Sequence, residues 1–212
     1  ARHPEDGRLK FSKAILMQQE GRHAEALLIA DEILASEEEV NVIILKMTAL
    51  NSLDRQEEAR TFLSTQVEAL PTNRRLRLVL ARLLFEHGNP AGAQVQYEKV
   101  LEKAPNDGDV LFALALIAMQ NENDAEAKRY LERMVRWNRR TGEAHYYLGS
   151  LAERSSDTAA ALDHYRQVGN GYEYVPAQAR IGSILVEDGL WDEARENLSR
   201  ARHQQPDKAQ QL

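Results

Sequence analysis

The stretch Ala93-Gln-Val-Gln-Tyr97-Glu-Lys-Val-Leu-Glu-Lys-Ala-Pro105 joins a small residue, an aromatic four positions later and a closing proline. On a helix, Ala93 and Tyr97 share one face, and Pro105 cannot continue that helix. The alanine recurs. Ala26, Ala59, Ala93, Ala127, Ala161 and Ala194 are separated by 33, 34, 34, 34 and 33 residues, and a fixed period of this size marks a repeat architecture. With these alanines at position 20 of a unit, the units start near Gly7, Val40, Arg74, Gly108, Gly142 and Val175. Residues 1–212 then read as a single array of six.

Other positions fall into the same register. Position 8 holds Ala14, Met47, Ala81, Ala115, Gly149 and Gly182. Small residues at positions 8 and 20 let two helices of a hairpin approach closely. Position 24 holds Ala30, Leu63, Tyr97, Leu131, Tyr165 and Leu198, one turn after the alanine, and fills the space between units. Position 15 holds Gly21, Gly88 and Gly189, with Asp54, Glu122 and Ser156 in the other units, residues that end a helix in a left-handed turn. Position 32 holds Pro71, Pro105 and Pro206.

Ala93-x3-Tyr97 with Pro105, Leu148-Gly149 with Ala161-x3-Tyr165, and Ile181-Gly182 with Ala194 and Pro206 together resemble the tetratricopeptide repeat. The family's Trp at position 4 is absent; Lys10, Ile43, Arg77, Leu111, His145 and Gln178 stand there. The resemblance implies an all-α fold, a right-handed α-solenoid of six helix hairpins whose first helices line a concave side. The tail after Pro206 stops where another helix would begin, so the chain reads as a piece of a longer array.

The family binds ligands through positions 2, 5, 9, 12 and 13 of the first helix. Carried onto this sequence, those positions give a concave groove centred on Leu78, Arg82, Phe85, Phe112, Leu116, Met119 and Tyr146. Aromatic and Met side chains are common anchors at protein interfaces. The competing reading is that position 5 side chains pack against the neighbouring unit. The Lys and Asn clamp with which some members hold chaperone tails is missing, since Phe11, Ile15, Ile44, Thr48 and Val79 occupy its places. Two segments stand outside the repeat. Arg136-Trp137-Asn138-Arg139-Arg140 reads as a solvated basic turn with Trp137 packed inward. Gly169 to Pro176 interrupts the helices with glycines, and Tyr172 and Tyr174 are candidates for a secondary contact.

A net charge of -6 disfavours nucleic acid as a partner. With no cysteine, thiolate chemistry and Cys-ligated metals are excluded. No apolar run approaches the roughly 18 residues that span a bilayer, so this segment is not expected to insert in a membrane. The six histidines show no metal-ligand spacing, and no phosphate loop or nucleophile motif occurs. The expectation is a non-enzyme with no cofactor and no metal.

Gly171-Tyr-Glu-Tyr-Val-Pro-Ala-Gln-Ala-Arg-Ile-Gly182, Glu193-Ala-Arg195 and the closing Gln210-Gln-Leu212 resemble the multi-repeat lipoproteins of gammaproteobacteria such as Pseudomonas. One of these is an adaptor that brings peptidoglycan hydrolases to a periplasmic carboxyl-terminal processing protease. The resemblance implies a protein-binding adaptor in the bacterial periplasm or outer membrane, held by a lipid anchor outside this segment. Its partners would be such a protease and its hydrolase substrates. A cytoplasmic assembly scaffold that holds a peptide in its groove, and a regulatory domain of a larger enzyme, are the alternatives. Self-association is left open.

Overall fold

The computed structural model describes residues 4–206 and divides the chain into two compact units, Ala1–Lys103 and Ala104–Leu212. The tail Asp207–Leu212, on which the reading of a cut array rests, lies outside the described residues. The first unit holds α1 (Pro4–Gln19), α2 (His23–Leu34), α3 (Val40–Ser52), α4 (Gln56–Ala69), α5 (Arg74–Glu86) and α6 (Pro90–Leu101). The second holds α7 (Gly108–Gln120), α8 (Asp124–Arg136), α9 (Thr141–Arg154), α10 (Thr158–Arg166), α11 (Tyr174–Glu187) and α12 (Trp191–Gln204). No strand occurs among the described residues. Within each unit successive helices pack in chain order, making three stacked hairpins.

The hairpin turns are built alike. Gly21, Asp54, Gly88, Glu122, Ser156 and Gly189 all have positive φ, between 57° and 77°. Each closes a first helix by letting the next amide reach back five residues. Arg22 N donates to Met17 O, Arg55 N to Leu50 O and Asn89 N to Leu84 O; Asn123 N donates to Ala118 O, Asp157 N to Ala152 O and Leu190 N to Leu185 O, all at 2.8 to 2.9 Å. Three second helices are then started by the turn's own side chain: Asn89 caps Gly92 N, Asn123 caps Glu126 N and Asp157 caps Ala160 N. At the other end of the hairpins, Asn73 and Asp107 cap α5 and α7 in the same way.

The helices of a hairpin meet at the small residues. Five of the six position-20 alanines are wholly buried and Ala194 is 4% exposed. Ala14, Ala81 and Ala115 opposite them are also fully enclosed. Gly149 shows how tight the contact is: a Cβ there would lie 2.7 Å from Tyr165 Cε1. That ring cannot retreat. It is 1% exposed, and its hydroxyl donates to Glu153 Oε2 at 2.6 Å while Arg180 holds the same carboxylate from α11 at 2.6 and 3.0 Å.

The position of the family's Trp is filled by pairs. Position 4 of the first helix faces position 23 of the second, and in three hairpins the two side chains bond. Arg77 donates to Gln96 at 2.9 Å, Asn197 donates to Gln178 at 2.9 Å, and the Nδ1 atoms of His145 and His164 lie 3.2 Å apart. In two others the same positions carry apolar partners, Ile43 with Phe62 and Leu111 with Tyr130. A polar group therefore enters the hairpin seam where its opposite number can satisfy it.

Two expectations need correction here. Trp137 does not pack inward; it is 50% exposed. Asn138 N bonds Val135 O and Arg139 N bonds Met134 O, which closes α8 with Asn138 left-handed, and Met134 takes the core slot at 0% exposure. Tyr174 is no part of a loop. It opens α11, is 4% exposed, and its hydroxyl lies 3.5 Å from Ala201 O and 3.4 Å from Gln204 Oε1 of α12. Tyr172, two residues earlier, is 97% exposed.

These contacts give two expected outcomes. Gly149→Ala and Gly182→Ala are the same change at the same repeat position, with opposite signs. The first overpacks Tyr165 and costs about 1–3 kcal/mol. The second meets nothing within 4 Å and gains up to about 1 kcal/mol of helix propensity. Urea unfolding of both variants tests the pair.

The histidine pair predicts a pH dependence. Burial pushes both imidazoles below their ordinary range; His164 adds to the effect on His145, and Lys128 of α8 to that on His164, against Asp163 of α10 and Glu132 of α8. A neutral pair can share one hydrogen bond, whereas two imidazolium rings cannot. The unfolded chain takes up protons first, near pH 6.5, so the pair's stabilisation is full above that pH and falls as acidification proceeds through the lower folded values. Denaturation midpoints between about pH 7.5 and 5.5 are expected to drop for the native chain and to drop less for His145→Gln/His164→Gln.

Candidate functional site

The residues expected to form one groove fall into two sets, one in each unit. In the first unit, α3 and α5 present their faces to a cavity of about 470 Å³. Leu78 and Arg82 line it; Phe85, one turn further along α5, lies outside the lining and is 39% exposed. The floor is apolar, from Ile44, Met47, Val79 and Leu83, and the rim carries Thr48, Asn51, Arg75 and Glu86. A pocket of this size, with an apolar half and a polar half, suits a peptide side chain or two.

Two rim groups are suited to a ligand. Asn51 Oδ1 is enclosed and accepts no hydrogen bond among the described residues, which costs about 1–3 kcal/mol unless something donates to it. Arg82 makes no ion pair among the described residues, while Arg75 donates to Asn41 at 2.5 Å. The α3 wall comes from positions 5, 9 and 12 of the second hairpin, the same positions that gave Leu78, Arg82 and Phe85 in the third. The signal was present; the apolar character of Leu78 to Tyr146 drew the expected site away from it.

In the second unit the predicted residues form an aromatic strip. The ring of Phe112 on α7 meets the edge of Tyr147 on α9, with centroids 5.3 Å apart. The Arg140 guanidinium sits 4.2 Å above Phe112 and is held there by Asp109 and Glu143, both at 3.0 Å. Tyr146 meets Tyr147 edge to face and Tyr165 at a tilt, with centroids 5.4 and 5.7 Å apart. Leu116 and Met119 are half-buried on α7. Tyr146 therefore serves the core as well as the strip, since it packs on the cluster around Tyr165. Tyr147 was not foreseen. It stands at position 6, outside the family's ligand positions, and burial, with Tyr146 and Glu173 adding to it, pushes its phenol up.

The protein-family model for the tetratricopeptide repeat matches residues 84–151. The TPR repeat-containing protein PA4667 of Pseudomonas aeruginosa is 40% identical over 211 residues, covering 100% of this chain. The chain spans 36% of the length of that relative. Among solved structures, PilF of Pseudomonas aeruginosa superposes with a TM-score of 0.66 at 15% identity, covering 95% of this chain and 93% of its own. MamA of Desulfovibrio magneticus gives 0.64 at 20% identity, covering 79% and 95%. These structures share the fold, a tetratricopeptide solenoid. By repeat register, hairpin geometry and kinship to PA4667, the chain belongs to the tetratricopeptide-repeat proteins.

Proposed function

We propose that the chain is a protein-binding adaptor of the bacterial envelope, one that brings clients such as cell-wall hydrolases to a carboxyl-terminal processing protease. The general role, protein binding, follows from the tetratricopeptide fold. Support for the groove as the docking surface comes from the α3–α5 cavity, where an apolar floor lies under an unsatisfied Asn51 oxygen and an unpaired Arg82. An extended client segment would put an apolar side chain on Leu78 and Ile44, donate a backbone N–H to Asn51 and place a carboxylate at Arg82. The aromatic strip of Phe112, Leu116 and Met119 offers a drier contact, suited to a larger apolar side chain. The envelope setting is supported by the sequence likeness to multi-repeat lipoproteins and by the Pseudomonas relative at 40% identity.

The test is direct binding by surface plasmon resonance, with the chain immobilised and purified carboxyl-terminal processing protease and peptidoglycan hydrolase as analytes. Leu78→Ala/Arg82→Ala and Phe112→Ala/Met119→Ala are expected to weaken binding of one or both partners by about tenfold or more, with helicity unchanged by circular dichroism. Tyr146 is left intact because its loss would disturb Tyr165. Binding that survives in both variants removes the groove from the reading; no binding of either partner to the native chain removes the protease adaptor role.

A further inference from the structure

A second cavity of about 470 Å³ lies in the first unit, between the turn that leads into α5 and the end of α6. It shares no residue with the groove. Helix α5 divides between them: Arg75, Leu78, Val79 and Arg82 face the groove, whereas Arg74 and Arg77 face this cavity together with Lys99 and Lys103. Four cations meet here with a single carboxylate, Glu102, in a chain whose net charge is -6. Pro71 and the buried Val100 supply the apolar part of the wall.

The two lysines are turned to solvent rather than into the packing of the unit. Lys99 and Lys103 are exposed, four residues apart, and neither forms an ion pair among the described residues; like charges at this spacing repel. Arg74 and Arg77 sit in the first turn of α5, where cations oppose the helix dipole. Arg77 is moreover fixed in place. Its guanidinium donates to Pro71 O at 2.8 Å and to Gln96 Oε1 at 2.9 Å, which aims a rigid fork at the cavity.

We infer that this cavity is a docking site for an acidic segment of a protein partner, whose carboxylates pair with Arg77, Lys99 and Lys103 and whose apolar side chain rests on Pro71 and Val100. Charge complementarity selects the occupant, and the apolar wall favours a peptide over a bare anion. Because the site and the groove use opposite residues of α5, one chain can hold two segments at once.

The probe is a fluorescein-labelled, amidated octapeptide of alternating Glu and Leu, followed by fluorescence anisotropy. The native chain is expected to bind it and to lose about tenfold in affinity between about 50 and 300 mM salt, as exposed ion pairs are screened. Lys99→Glu/Lys103→Glu is expected to abolish binding, and Arg77→Gln, a separate variant in case the first is misfolded, to weaken it about tenfold. Leu78→Ala/Arg82→Ala is expected to leave it unchanged. Equal binding of the Gln–Leu octapeptide, or retention of affinity in the folded Lys99→Glu/Lys103→Glu chain, overturns the proposal. So does displacement of the peptide by millimolar inorganic phosphate, or tighter binding of a single-stranded oligonucleotide.

Discussion

The structure depends on how closely the two helices of each hairpin approach at the position-20 alanine. That contact encloses the alanine on the second helix, and all six alanines are exposed by 4% or less. Everything else in the hairpin adjusts to it. Where position 24 is the bulky Tyr165, position 8 has shrunk to Gly149, and the ring fills the space a Cβ would take. Where position 24 is Leu63, position 8 can be Met47. Volume is shared between these places, as close-packed interiors require.

Close seams also ration polarity. A polar group in such a seam is costly unless paired. In five of the six hairpins position 4 and position 23 are polar together or apolar together; in the first, where Lys10 stands opposite Ile29, the ammonium donates to Glu32 instead. The sequence departs from its family at position 4, and the departure is compensated within each hairpin rather than across the array. Arg77 with Gln96, Gln178 with Asn197, and His145 with His164 are three chemically different solutions to one geometric demand. The histidine pair differs from the others in one respect: burial holds both of its imidazoles below their ordinary range.

The period of the alanines and the residues at position 15 made the hairpins legible in the sequence. The six left-handed turns stand at the six predicted places, even where the residue is Asp54, Glu122 or Ser156. The repeat register also brought Leu78 and Arg82 to a cavity and Phe112 and Tyr146 to an aromatic strip. It failed where a local backbone feature broke the register. Left-handed residues at both Asn138 and Arg140 reshape the turn before α9, turning Trp137 outward and placing the Arg140 side chain over Phe112. Tyr174 was misjudged because the glycines before it suggest a loop, whereas its partners, Ala201 and Gln204, lie a whole hairpin away in sequence. Tyr147 escaped because a ligand-position rule names one face of a helix, and an aromatic ring at the neighbouring position is long enough to reach it.

The separation of packing positions from surface positions explains how one scaffold carries several chemistries. Positions 8, 20 and 24 fix the hairpin, and positions 4 and 23 settle its seam. Positions 2, 5, 9 and 12 are then free to vary, and they do: Arg75, Leu78 and Arg82 in one first helix, Asp109, Phe112 and Leu116 in the next. A helix has more than one remaining face, however, and α5 uses two. Its groove side is apolar with an arginine rim, and its other side is cationic around an apolar wall. An adaptor must hold two proteins without making either compete for the other's contacts. The two cavities on α5 share none of its side chains, so on the proposed reading they would meet that requirement with the backbone alone as the common support.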